Sequence, residues 1–162
     1  MKKIIGVSSC LAGYFVRYDG KTEYQSELIP LLREKYTVLT FCPEVAIGMP
    51  VPRQAIHVRK KGGNICVVNK KTGYGDCTEA LQDYAKLIAK RYPSLYAYVF
   101  KQYSPSCGVG KTKIHDERGE FLGKYDDGVF AAKLKQALPD LLVYSEEEFS
   151  AFICEQTHKT PS

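Results

Sequence analysis

No apolar stretch in this 162-residue chain approaches the roughly 18 consecutive residues from which a membrane span is read. Low-complexity tracts, internal repeats and linkers are also absent, so one domain with a buried core is expected over residues 1–162. Histidine is scarce. His57 and His115 fall in expected hairpins and His158 in the tail, and each reads as a surface residue rather than a ligand. The opening MKKIIGVSSCLAG has the lysines and the cysteine of a lipoprotein signal but lacks its apolar core. Only Ile4 to Val7 precede Ser8, against about 7–15 residues in a signal. The segment reads as the first strand of a cytoplasmic protein with no membrane association. Without a secretion signal, the six cysteines at 10, 42, 66, 77, 107 and 154 are expected as reduced thiols. They are then core residues, catalytic groups or metal ligands.

The net charge of +5 is modest, and its most basic stretch is VRKKGGNICVVNKK, where Arg59, Lys60, Lys61, Lys70 and Lys71 flank a Gly-Gly turn. A solvated hairpin tip accounts for it. The alternative, a landing patch for nucleotide or RNA phosphate, lacks a recognisable RNA-binding motif to support it.

Apolar runs alternate with helix-period segments along the chain. Strands are expected at Lys3–Val7, Tyr36–Phe41, Leu95–Phe100 and Leu141–Tyr144. Helices are expected at Glu27–Lys35, with Pro30 in the first turn, at Thr78–Arg91 and at Gly128–Leu138. In the second of these Leu81, Tyr84, Ala85 and Ile88 form the apolar stripe, Asp76 is the candidate cap and Pro93 the stop. Residues 54–60 and 64–70 read as one inserted hairpin, and a second turns at Glu117-Arg118-Gly119. Ser145 with Glu148 is a capping-box pattern for a final helix over 146–155, and 153–162 read as a frayed tail. The order implies an α/β fold: a mainly parallel, Rossmann-like sheet flanked by helices, with inserted β-hairpins.

Three cysteines stand in equivalent places. Cys10 ends KIIGVSSC, Cys42 ends YTVLTFC and Cys107 follows YAYVFKQYSPSC. Loops leaving the carboxyl ends of parallel strands share one edge of the sheet, where such folds bind ligands. If the three strands are neighbours, topology brings the thiols together, although no close cysteine pair exists along the chain. Three sulfur ligands with a vacant fourth position suit a reactive site, either zinc with a bound water or a cubane iron–sulfur cluster.

VSSCLAG and VRYDG, CPEVAIGMPVPR, KQYSPSCG and GVFAAKL, taken in order from about Lys3 to Tyr144, resemble the thiouracil desulfidase family, also described as a domain of unknown function. The resemblance implies a [4Fe-4S] cluster held by three cysteines, here Cys10, Cys42 and Cys107, with one iron left open. It also implies a catalytic carboxylate, here Glu44 of CPE, and a catalytic serine, here Ser104. The expected reaction is hydrolytic removal of sulfur from a small thiolated pyrimidine bound by its sulfur to the open iron. A non-catalytic cluster sensor and an RNA-binding module are the alternatives, and the oligomeric state is not legible. Arg17, Asp19, Gly20, Arg53 and Asp76 are polar residues near the expected pocket edges and candidate substrate-binding groups. Ala46-Ile47 and Asp83-Tyr84 depart from the family pattern, and their bulk is expected to bear on which substrate fits. Cys66 and Cys154 read as packing residues, and Cys77, beside Asp76 at a helix start, as a thiol that could be acidified.

Overall fold

A computed structural model describes residues 1–25, 27–149 and 151. Its strands are β1 (Ile4–Ser8), β2 (Thr37–Phe41), β3 (Ile56–Lys61), β4 (Asn64–Asn69), β5 (Ala97–Phe100), β6 (Thr112–His115), β7 (Phe121–Asp126) and β8 (Leu142–Ser145). The α-helices are α1 (Leu28–Lys35), α2 (Pro43–Ala46), α3 (Thr78–Arg91) and α4 (Val129–Ala137). A 3-10 turn, Ser9–Ala12, follows β1 directly.

β2, β1, β5 and β8 pair in that order, every pair parallel, as the alternation of strands and helices predicts. Side chains alternate across a strand, so Ile5 and Val7 of β1 join Ala97 and Val99 of β5 on one face. Leu28, Ile29 and Leu32 of α1 cover them. On the other face Phe41, Tyr98 and Phe100 pack under Ala85 and Ile88 of α3 and Phe130, Ala131 and Leu134 of α4. Each fully buried aliphatic or aromatic side chain of this kind contributes about 1.5–3 kcal/mol. The sheet is thereby held between helical layers, and its carboxyl edge stays open for loops.

The two expected hairpins are present, but they are not separate insertions. β3 pairs with β4 and β6 with β7, both antiparallel, and β3 also runs parallel to β6 through Val58↔Ile114 and Arg59↔His115. The result is a second four-stranded sheet, β4–β3–β6–β7. Val58, Val67 and Ile114 bury its inner face against Leu81 of α3 and Val129 of α4.

Ser145 and Glu148 close the expected box, each side chain bonding the other's backbone N–H, and residues 146–149 are helical. The rest of the helix expected over 146–155 lies largely outside the described residues, and the tail with Cys154 and His158 lies wholly outside them. Among the described residues no helix is long and apolar enough to cross a membrane.

Candidate active site

Because β2, β1 and β5 are neighbours, the loops at their carboxyl ends meet. Cys10 sits in the 3-10 turn after β1, Cys42 between β2 and α2, and Cys107 in the loop after β5. All three line one cavity of about 680 Å³, with Glu44, Ser104, Ser106, Arg17 and Arg53. Cys10 and Cys107 are buried, and Cys42 is half-buried. The convergence expected from the strand ends is therefore present. No three His, Cys, Asp or Glu side chains among the described residues are grouped tightly enough to hold a single metal ion.

A polar network surrounds the thiols. α2 is a single turn opened by Pro43, and it carries Glu44 toward the cavity. Arg53 Nε donates to Glu44 Oε1 at 3.0 Å, and both side chains are largely buried. The same guanidinium donates to the carbonyls of Pro50 and Val16, so its plane and the carboxylate facing it are fixed. Glu44 Oε2 accepts from Ser106 Oγ at 3.0 Å. Ser104 Oγ lies 3.1 Å from Ser106 Oγ and accepts from the backbone N–H groups of Ser106 and Cys107. A carboxylate only accepts, so Ser106 donates to Glu44 at 3.0 Å rather than to Cys107 Sγ at 3.7 Å, and Ser104 donates to Ser106. A directed chain results: Ser104 to Ser106 to Glu44.

The loop carrying these serines rests on α4. Gly128 N–H bonds the carbonyl of Gly108, Val129 N–H that of Pro105 and Ala131 N–H that of Ser106. A side chain at Gly128 would collide with the Ser106 backbone and the Cys107 nitrogen. Tyr103, just before the serines, is held at φ 64°, a strained conformation for a non-glycine residue and one that clusters at functional sites.

Burial dominates the electrostatics of the thiols. It pushes Cys10 up to about 12, against the pull of Lys101 and with a further push from the charge of Cys42. Burial also raises Cys42, opposed by the Val45 backbone N–H. Cys107 rises most, with the Ser106 hydroxyl working the other way and Cys42, Glu44 and Cys10 adding to the rise. Two buried thiols and a half-buried one, all raised by burial, need a cationic partner to exist as thiolates.

Of the sequence-derived substrate candidates, Arg17 and Arg53 line the cavity, whereas Asp19, Gly20 and Asp76 do not. Arg17 is held by Glu23 at 2.6 Å and lies 3.9 Å from Asp19. Asp76 is not the cap of α3 expected of it: the cap position is Cys77, and Asp76, one residue earlier, accepts from the N–H and hydroxyl of Thr78, the first helical residue. Ala46-Ile47 and Asp83-Tyr84 also stay out of the cavity lining; Ile47 packs on the second sheet's core and Tyr84 stacks on Phe130. Cys66 is buried as expected, but Cys77 is not acidified: burial, then Glu44 and Asp76, push it up to about 11.

Three residues depart from their expected surroundings. His57 is buried, not at the surface, and it lines the cavity with the half-buried His115. Their ring centroids are 4.2 Å apart. Arg59 turns inward from the basic hairpin and spends its guanidinium on His57, Glu117 O and Lys70 O, so it is not part of a solvated tip. Ser106 was not singled out at all. The cue available in SPSCG was its second serine, one residue from the ligand candidate.

A family described as 2-thiouracil desulfurase matches residues 5–148. The chain is 36% identical over 155 residues to the uncharacterized protein YbbK of Bacillus subtilis (strain 168), covering 91% of this chain and 98% of that protein. Among solved structures it is similar to a [4Fe-4S]-dependent thiouracil desulfidase, TudS. That match has a TM-score of 0.73 and 31% identity over 97% of this chain and 99% of the other.

Proposed function

The chain belongs to the 2-thiouracil desulfurase family, and we propose that it is an iron–sulfur-dependent desulfidase hydrolysing the C–S bond of a thiolated pyrimidine, 2-thiouracil or a thiouridine-like compound. The observation that carries this is the meeting of three strand-end thiols with a hydrogen-bonded carboxylate in one cavity. Cys10, Cys42 and Cys107 would hold a [4Fe-4S] cluster. A cubane takes each thiolate at a separate iron, so its ligands need not crowd round a single point. The donor set itself fits: three thiols from three strand ends line one cavity, and clusters of this kind are held by cysteine thiolates. When bound, the cluster supplies a Lewis acid with affinity for the substrate sulfur.

Hydrolysis of a thiocarbonyl exchanges C=S and water for C=O and hydrogen sulfide, with no change of oxidation state. The protein must orient the water, take its proton and return one. Ser104 stands at the head of the serine chain and Glu44 at its end, so a proton accepted at Glu44 moves along hydrogen bonds already formed. Arg53 keeps the carboxylate aimed at Ser106 rather than rotated away.

Anaerobic reconstitution with iron and sulfide tests this reading. The wild-type protein should gain the broad absorbance of a cubane cluster and release sulfide from 2-thiouracil. Cys10→Ala, Cys42→Ala and Cys107→Ala should each lose the cluster, while Cys66→Ala keeps it. Glu44→Gln should keep the absorbance and lose about 10²–10⁴-fold in rate. A stable cluster with no turnover of any thiolated pyrimidine would instead favour a non-catalytic cluster protein.

A further inference from the structure

Two histidines in the cavity wall are locked in opposite hydrogen-bonding roles by groups that cannot change theirs. Arg59 Nε donates to His57 Nε2 at 2.8 Å, and an arginine nitrogen never accepts. Nε2 of His57 is therefore the acceptor and Nδ1 carries the hydrogen. That Nδ1 is buried and has no hydrogen-bond partner. In His115 the constraint runs the other way: Nδ1 lies 3.1 Å from the Val58 carbonyl, which only accepts. His115 Nδ1 is thus the donor, and in the neutral form of the ring Nε2 is the acceptor. One N–H and one lone pair stand on two rings 4.2 Å apart, both in the cavity wall.

The lock is built from far along the chain. The Arg59 guanidinium is itself buried, bonded to Glu117 O in the turn between β6 and β7 and to Lys70 O just past the end of β4. It fits only because Gly73 and Gly119 present no side chain against it. Burial, then His115, Arg59 and Lys70, lowers His57 to about 4, so its ring stays neutral at physiological pH. A buried N–H without an acceptor is costly, and such groups call for a ligand or a functional reason.

We propose that His57 and His115 read the N–H/C=O edge of the bound pyrimidine, His57 Nδ1–H donating to the ring carbonyl and His115 Nε2 accepting the adjoining ring N–H. This rests on the desulfidase reading of the cavity. Any uracil with one oxygen replaced by sulfur keeps one such edge, so the pair discriminates for the lactam and not for the sulfur. The Nδ1 hydrogen is closed to bulk water in this structure. The histidine χ2 torsion is soft, and a tilt that keeps the 2.8 Å Arg59 bond within range turns the hydrogen toward the cavity that the ring already lines.

The test compares two substrates, 2-thiouracil and pyrimidine-2-thione, which keeps the C=S but has no carbonyl. For the cluster-loaded wild type, kcat/KM should favour 2-thiouracil. In His57→Phe that preference should fall by about tenfold, chiefly through KM for 2-thiouracil, because one buried hydrogen bond is lost. A structural role would depress both substrates equally, and an unchanged ratio overturns the proposal. A second readout needs neither the cluster nor a variant. With the ring nitrogens labelled with ¹⁵N, cluster-free protein should show His57 with one protonated and one bare nitrogen from pH 5 to 8. Millimolar uracil should shift the protonated signal, and an unmoved signal sinks the edge reading. Failure of the loaded wild type on both thiones would overturn the desulfidase assignment instead, while the uracil titration still decides the histidine pair.

Discussion

Ser104 and Ser106 differ by two positions and by what their oxygens do. Ser104 Oγ accepts two backbone N–H groups of its own loop, including that of Cys107, so it shapes the turn that presents the thiol. Ser106 Oγ instead joins the loop to the carboxylate and also points at Cys107 Sγ, at 3.7 Å. Ser106→Ala should therefore leave the cluster absorbance intact and lower kcat about 10²-fold, since it cuts the hydrogen-bonded link between the serines and Glu44 in a proton path. Ser104→Ala should lower kcat as well, but it should also speed the decay of the absorbance in air, because the loop loses its internal acceptor. Single-turnover sulfide release and absorbance decay, measured on the same preparations, separate the two. Equal cluster decay in both variants would remove the distinction.

At the scale of elements, the packing of α4 on the SPSC loop is the joint that holds the third thiol. Three backbone carbonyls of the loop, at Pro105, Ser106 and Gly108, are satisfied by the N–H groups of Val129, Ala131 and Gly128 at the start of this helix. Gly128 makes that approach possible, because a Cβ there would overlap backbone atoms rather than a flexible side chain. Gly128→Ala should cost about 1–3 kcal/mol, the range for overpacking a tight site. The denaturation midpoint of the cluster-free protein measures it. The same variant should load less cluster, since relief of the clash moves the Cys107 loop; full loading with an unchanged midpoint would show that the joint is dispensable.

For the molecule as a whole, burying the thiols ties stability to pH. Cys10 is raised from 9.0 to about 12 and Cys77 to about 11, so the folded chain keeps protons that the unfolded chain loses above pH 9. The stabilising contribution is complete below pH 9 and is lost as pH rises toward 12 through these folded values. Urea midpoints of cluster-free protein should accordingly fall between pH 9 and 11, and Cys10→Ala should flatten the fall. A midpoint independent of pH over that window would mean that the thiols ionise freely in the fold. Cluster loading carries the opposite demand, because thiolate ligands must shed their protons on binding.

Much of this molecule was determined by local chemistry and is readable in order along the chain. The stripe of Leu81, Ala85 and Ile88 makes α3 a helix wherever it sits, and Pro93 ends it within two residues. The apolar runs at β1, β2 and β5, each closing on a cysteine-bearing turn, imply a parallel sheet with its thiols at one edge, and that is where they lie. Tertiary structure decided what depends on partners distant in sequence. Whether two hairpins stand apart or share a sheet turns on Val58 meeting Ile114, a pairing that no local period reveals. The polar candidates were divided on the same ground: Arg53 reaches Glu44 and the cavity, while Asp76 is consumed by the helix it precedes. His57 looks like a surface residue in a charged hairpin until Arg59 folds inward across it. Burial, the Arg59 donor and the neighbouring His115 ring, none of them local to the histidine's own motif, then set which nitrogen holds its proton.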